Sequence, residues 1–257
     1  MPKKELGQHW LKDRSVLQRI AQCAELTKED TVLEIGPGLG TLTSELLRRA
    51  GRVVAVEFDA DLARKLPGQF PGTKLEVINE DILQFDITEL PEDYKVVANV
   101  PYYITSKIVE MLLTSGNTPS LSVLLVQKEV AERIAARPGN LNILGISAQV
   151  YCEASLDIKV PREYFTPPPK VDSQVVVLRR RQIPLVDHVN EARFFQLVKA
   201  GFSAKRKKLR SSIAGGLGIS KQQAEELLQQ AAVSPDLRAQ DLIIEQWKKL
   251  YAVWISR

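Results

Sequence analysis

Along the first two-thirds of the chain, short unbroken apolar runs alternate with amphipathic stretches; along the last third only amphipathic stretches occur. The runs are rich in β-branched residues and predict strands at Thr31–Ile35, Arg52–Glu57, Lys74–Ile78, Lys95–Ala98 and Leu121–Gln127. Between them, a period near 3.6 predicts helices over Thr41–Ala50, Asp59–Leu66 (Asp59 as cap), Ile104–Ser115 and Lys128–Ala136. A further helix starts at Ser15, with Ser15 as its N-cap and Val16, Leu17, Ile20 and Ala21 on one face. Strands apolar on both faces and separated by helices indicate a parallel sheet covered on both sides. Leu141–Val150 reads as helix. Ala154–Val160 and Ser173–Arg180 read as two strands joined by a Pro-rich loop, a pattern suited to an antiparallel edge. From Glu191 the periodicity is helical only, over Glu191–Phe202, Lys205–Ala214, Ser220–Ala232 and Asp241–Ile255. A boundary therefore falls near 182–190, giving domains 1–185 and 186–257.

The 257 residues, 44% hydrophobic and 26% charged, suit a globular chain with a sizeable core. Cys23 and Cys152 form no CxxC, and His9 and His188 are the only histidines, so neither a zinc site nor a disulfide framework is expected. A reducing cytoplasmic setting follows from that cysteine usage. The start carries no signal-peptide pattern, and runs such as Val123–Val126 are too short to span a bilayer, so no membrane association is expected.

The first strand runs into Gly36-Pro37-Gly38-Leu39-Gly40, a turn in which backbone can approach a ligand closely. The spacing G-x-G-x-G differs from the G-x-G-x-x-G of dinucleotide cradles. Glu34, just before it, would repel a pyrophosphate but balance a cationic ligand, which favours the sulfonium S-adenosylmethionine over NAD. Glu57, at the end of the second strand, stands about 20 positions after Gly36, where an acid accepts from ribose hydroxyls. Asp81 follows the third strand, placed to accept from an adenine amine, with Ile82 against the ring. Carboxyl ends of successive strands are where such sheets bind ligands.

The fourth strand ends in Asn99-Val100-Pro101-Tyr102-Tyr103. An aromatic amine is a poor nucleophile because its lone pair is delocalised into the ring. The amide oxygen of Asn99 and a loop carbonyl, both accepting from the amine, favour a pyramidal nitrogen whose lone pair is free to attack. Pro101 stiffens the loop. Tyr102 offers a face for an extruded base and a π cloud for a cationic methyl donor. No strong base is required, which agrees with the scarcity of histidine.

These motifs, with Gly7-Gln8-His9-Trp10-Leu11, Val56-Glu57, Glu80-Asp81 and Phe165-Thr-Pro-Pro-Pro-Lys-Val-Asp-Ser173, resemble the 16S ribosomal RNA adenine dimethyltransferase family along nearly the whole chain. The resemblance implies a Rossmann-like class I methyltransferase domain, an α/β fold with a mostly parallel seven-stranded sheet and helices on both faces, followed by a small all-α C-terminal domain. It implies dimethylation of two adjacent adenosines near the 3′ end of 16S rRNA in the small (30S) subunit, with a role in ribosome biogenesis and S-adenosyl-L-homocysteine as product. By the same resemblance His9 and Leu11 join Gly36, Gly38, Gly40, Glu57, Asp81 and Asn99 at the cofactor, and Phe165 packs on the target base opposite Tyr102. Trp10 stands where the family usually has Phe.

Lys199, Lys205, Arg206, Lys207, Lys208 and Arg210 form a cluster without an acid, suited to RNA phosphates or to a solvated helix face. Arg179, Arg180 and Arg181 form a second run. No dimerisation signal is present, which points to a monomer. Two other enzymes remain in view: a methyltransferase of 23S rRNA adenine that confers antibiotic resistance, and an NAD oxidoreductase. So does an assembly factor that binds nucleic acid without turnover.

Overall fold

A computed structural model of the chain describes residues 8–186 and 191–256. Gly7 of the first motif and His188, in the expected linker, lie outside the described residues. The described chain divides into two compact units, residues 1–132 with 153–180, and residues 133–152 with 181–257.

The first unit is built on a seven-stranded sheet. Its strands are β2 (Thr31–Ile35), β3 (Arg52–Glu57), β4 (Leu75–Asn79), β5 (Lys95–Asn99), β6 (Leu121–Gln127), β7 (Cys152–Val160) and β9 (Ser173–Arg180), in spatial order β4-β3-β2-β5-β6-β9-β7. The pairs β3–β4, β2–β3, β2–β5 and β5–β6 are parallel, while β9 runs antiparallel to β6. The chain winds outward from β2 to β4, then returns to place β5 on the other side of β2. That reversal opens a crevice at the carboxyl ends of β2 and β5, where doubly wound sheets bind ligands.

Side chains alternate across the sheet. Val32, Val53, Val97, Val123, Leu125 and Val175 share a buried cluster with Val16, Leu17 and Ile20 of α1 (Arg14–Cys23) and Leu42 and Leu46 of α2 (Thr41–Leu47). The intervening positions Leu33, Ile35, Val54, Val96, Leu124 and Val176 are equally buried, so the central strands meet solvent on neither face. Helices α3 (Ala60–Lys65), α4 (Thr105–Thr114) and α5 (Lys128–Ile134) complete the strand–helix alternation.

At the start of α1, Asp13 is the cap, accepting from Val16 N–H at 3.0 Å, and the expected cap Ser15 donates its hydroxyl to Asp13 at 2.6 Å. An ionised carboxylate is the stronger acceptor for a helix N-terminus, so the cap stands two residues earlier than expected. A two-residue strand, β1 (Trp10–Leu11), pairs antiparallel with β8 (Phe165–Thr166) in a separate small sheet.

The second unit is helical: α6 (Ile143–Tyr151), α7 (Glu191–Phe202), α8 (Leu209–Leu217), α9 (Lys221–Gln230) and α10 (Ile244–Ile255). Its core holds Phe194, Leu197, Trp247 and Leu250, all fully buried, with Phe194 edge-on to Tyr251 and Phe202 stacked on Trp247. The expected first domain, 1–185, included α6. The structure packs α6 against α7 and α10 within this unit, where Gln149 Nε2 ties it to the carbonyls of Ile134 and Ala136. The expected helix over Lys205–Ala214 begins only at Leu209, because residues 203–207 form turns and Lys208 stands at the N-cap in extended conformation.

Candidate active site

The crevice at the carboxyl ends of the strands is lined by the 8–11 segment, the glycine turn after β2, the ends of β3 and β4, and the loop after β5. Sequence distance is large, but each contribution is set by one strand end. His9, Leu11, Glu34, Gly36, Gly38, Glu57, Asp81, Ile82, Asn99, Pro101 and Tyr102 all line it.

The glycine turn follows from local geometry. Gly36, Gly38 and Gly40 have φ of 65°, 57° and 79°, in the left-handed region. A Cβ at Gly36 would meet nothing within 4 Å, so its missing side chain leaves open space in the crevice. Gly40 serves differently. It caps α2 outside the lining, and a Cβ there would stand 2.7 Å from Leu66 Cδ1 and 3.0 Å from Phe70 Cε2. The expectation of cofactor contact at Gly40 is therefore corrected: its smallness serves packing of the turn against Leu66 and Phe70.

The turn is held by Glu57. Its Oε2 accepts from Gly38 N–H at 2.9 Å and its Oε1 from Asp59 N–H at 2.9 Å. Burial pushes this carboxyl above its usual range, while the Asp59 and Gly38 donors pull it back. A carboxylate has about four acceptor sites, so both oxygens retain room for sugar hydroxyls. Asp81 Oδ1 accepts from Leu83 N–H at 3.0 Å, and the adjacent Ile82 is buried.

Glu34 is only 1% exposed, and its Oε2 has no hydrogen-bond partner among the described residues. Burial pushes its carboxyl up to about 8, against the lowering effect of Thr43 and with Glu57 adding repulsion. Burial thus favours the neutral form of the carboxyl expected as an anionic counterweight to a cationic ligand. A bound cation would draw it toward ionisation.

The 8–11 segment is strapped across the crevice. Gln8 Nε2 donates to Asp59 at 3.3 Å, Thr41 Oγ1 donates to the Leu11 carbonyl at 3.0 Å, and Asn99 Nδ2 donates to the His9 carbonyl at 3.1 Å. The last bond sets the Asn99 amide: its NH2 faces the main chain and its Oδ1 is left as the acceptor. His9 Nδ1 lies 2.7 Å from the Pro167 carbonyl and must carry the proton there, since a carbonyl only accepts. The His9 and Tyr102 rings stack, with centroids 5.8 Å apart and planes 21° apart. Tyr102 in turn bonds Ser173 Oγ at 2.6 Å.

Phe165 does not line the crevice. At 3% exposure it packs in the core with Leu11, Leu17 and Val175, opposite Leu11 in the β1–β8 pair. A short strand turns its side chain inward, so in this structure it is a core residue and not a partner of Tyr102 across a base. Two lining aromatics escaped sequence reasoning: Phe58, 59% exposed, and Tyr103, 65% exposed. Each follows a recognised residue directly, Glu57 and Tyr102, and exposure is what a one-dimensional pattern does not carry. Trp10 was legible only as a departure from the family's Phe. Its indole lies 3.5 Å from where a Gly38 Cβ would stand, covering the turn.

Among the basic residues, Lys208 pairs with Asp236 at 2.8 Å and Arg210 with Glu225 at 3.0 Å. Lys205, Arg206 and Lys207 are exposed and have no ion pair among the described residues. Arg179 pairs with Glu25, Arg180 with Asp93, and Arg181 Nε donates to the Gln149 carbonyl. Each arginine of that run thus has a partner within the protein.

The donor set fits S-adenosylmethionine. Acceptors stand at the ends of β3 and β4, the turn after β2 leaves open space where a Gly36 side chain would stand, and Glu34 brings a buried carboxyl to the same crevice. Among the described residues no group of His, Cys, Asp and Glu could hold a metal ion. The doubly wound sheet, with its antiparallel strand β9 and this crevice, defines a class I methyltransferase that uses S-adenosylmethionine. The chain belongs to the ribosomal RNA adenine dimethylase family, which matches residues 2–255. Among its relatives is ribosomal RNA small subunit methyltransferase A of Dehalococcoides mccartyi, 43% identical over 98% of this chain and 88% of that one. The protein of the same name from Clostridium botulinum is 41% identical over 96% and 92%. In structure the chain is similar to the 23S rRNA methyltransferase ErmE, with TM-score 0.80 and 32% identity over 95% of this chain and 98% of that one. It is also similar to a dimethyladenosine transferase from Plasmodium falciparum, with TM-score 0.82 and 27% identity over 94% and 96%. The NAD oxidoreductase reading falls with these findings. Among the described residues no helix is long and apolar enough to cross a membrane.

Proposed function

We propose that the protein dimethylates the exocyclic amines of two adjacent adenosines near the 3′ end of 16S rRNA, within the 30S subunit during ribosome biogenesis, acting as a cytoplasmic monomer. The observation that carries the chemistry is the Asn99 amide. It stands at the tip of β5, anchored through Nδ2 to the His9 carbonyl, with Oδ1 as the available acceptor. The choice of the small subunit is supported by relatives at 41–45% identity that are small subunit methyltransferases by name.

S-adenosylmethionine supplies an electrophilic methyl group when bound. Glu57 and Asp81 hold hydroxyl and amine donors at the ends of β3 and β4, and Gly36 admits the ligand against bare backbone. Asn99 Oδ1 holds one hydrogen of the target amine, and a loop carbonyl beside it holds the other, so the nitrogen lone pair leaves conjugation with the ring. Tyr102 supports the base by stacking. The alkylated nitrogen is strongly acidic, so its proton passes to water without a dedicated base. His9, committed to the Pro167 carbonyl and to the Tyr102 ring, serves binding. The contribution of these groups is positioning and electrostatics. The free cations Lys205, Arg206 and Lys207 contact RNA phosphates, with Lys208 and Arg210 shaping the turn through their ion pairs.

The similarity to a 23S rRNA methyltransferase favours one second reading, action on the large subunit. Labelled S-adenosylmethionine incubated with unmethylated 30S and with 50S particles separates the two. Label in 30S alone, recovered as dimethyladenosine, is the expected result, and label in 50S alone would favour the second reading. A particle that binds without incorporation would leave the role of an assembly factor.

A further inference from the structure

We infer that Ser173 is a positioning residue for methyl transfer, holding the Tyr102 ring at the edge of the crevice through its hydroxyl. The inference rests on the function proposed above.

Ser173 opens β9 and is fully buried, with its Cα fixed opposite Gln127 of β6. A serine there satisfies no helix cap, and its hydroxyl bonds the Tyr102 hydroxyl at 2.6 Å. Tyr102 sits on the single 3-10 turn Tyr102–Ile104, which follows an extended Pro101. A ring attached only at Cβ to such a turn swings about χ1, into or away from the crevice. Tying its far end to a sheet strand removes that swing. The bond leaves rotation about the Cβ–Oη axis, and the parallel His9 ring limits that motion. The two constraints are complementary: Ser173 sets where the ring stands and His9 sets which way its face points. His9 is itself fixed by the Pro167 carbonyl, so both constraints on Tyr102 trace to the segment 165–173. This gives that segment a positioning role in place of the direct stacking expected of Phe165.

A neutral hydrogen bond of this kind corresponds to roughly a 3- to 10-fold effect when it is needed to hold geometry. The test is a double-mutant cycle in methylation of small-subunit RNA, using Ser173→Ala, Tyr102→Phe and the pair. Each single change should lower kcat by about 3- to 10-fold, and the pair should be no worse than the poorer single. Affinity for S-adenosylmethionine should stay within about twofold, because the lost bond orients the base and not the cofactor. Ser173→Thr, which keeps the hydroxyl, should recover most of the loss. Multiplicative losses in the pair, or Ser173→Ala turnover equal to wild type, would overturn the inference. A readout free of turnover keeps it distinct from the function itself: with 3-fluorotyrosine at position 102, the 19F resonance should shift or broaden in Ser173→Ala. An unchanged resonance overturns the positioning role. Absence of methyl transfer by the wild-type protein counts against the proposed function alone.

Discussion

Glu34 shows what a single buried carboxyl does to the whole molecule. Its value of about 8 lies well above the ordinary 4.5, so between those limits the folded chain holds a proton that the unfolded chain has released. The unfolded state then binds fewer protons, and by linkage stability falls as pH rises through this window. The contribution is full below about 4.5 and gone above about 8. Glu34→Gln keeps the shape of the neutral acid without the titration. Its unfolding free energy, measured in denaturant across the window, should decline less steeply with pH than that of the wild type. Parallel pH profiles would show that Glu34 does not carry the proton. The same variant should bind S-adenosylmethionine more weakly, by about tenfold, because an amide cannot become anionic beside a cation; calorimetry reads this directly.

Among the elements, the glycine turn separates binding from packing. Gly36→Ala places a methyl in open crevice at a strained φ, costing about 1–2 kcal/mol of stability and a larger share of cofactor affinity. Gly40→Ala adds a clash with Leu66 and Phe70 to the same strain, so it should cost roughly 2–5 kcal/mol with cofactor affinity largely kept in the folded fraction. Thermal unfolding and titration of the two variants check the split, and a reversed ranking would contradict it. The sequence pattern named both glycines alike, because one string of G-x-G-x-G hides which neighbour each faces. Strands were legible to within a residue or so at Thr31–Ile35, Arg52–Glu57 and Ser173–Arg180, since β-branched runs bounded by turns leave little choice. The two-residue strands β1 and β8 were not, as two residues carry no period. Periodicity predicts the start of α8 too early because Lys and Arg are good helix formers, and nothing local shows that the turn at 203–207 displaces them. The resemblance implies a base contact at Phe165, and only its pairing with Leu11 shows the ring turned into the core.

For the molecule as a whole, a net charge of +4 says little, and its placement says more. Of the basic cluster, Lys205, Arg206 and Lys207 stay unpaired among the described residues, while Lys208 and Arg210 are answered by Asp236 and Glu225. Changing the first three to Ala should weaken RNA binding and reduce the slope of log affinity against log salt by roughly two to three. Changing Lys208 alone should reduce it by less than one, since that charge is already compensated. An unchanged slope in the triple variant would remove the 205–207 turn from the RNA surface.

The proposed methyl transfer turns on the Asn99 amide oxygen as the acceptor that frees the adenine nitrogen. Single-turnover methylation of unmethylated small-subunit RNA by wild-type protein and by Asn99→Ala, with RNA affinity measured alongside, tests this most directly. Asn99→Ala should lose about 10²- to 10³-fold in rate with RNA affinity near wild type. Methylation by Asn99→Ala at close to the wild-type rate would contradict it.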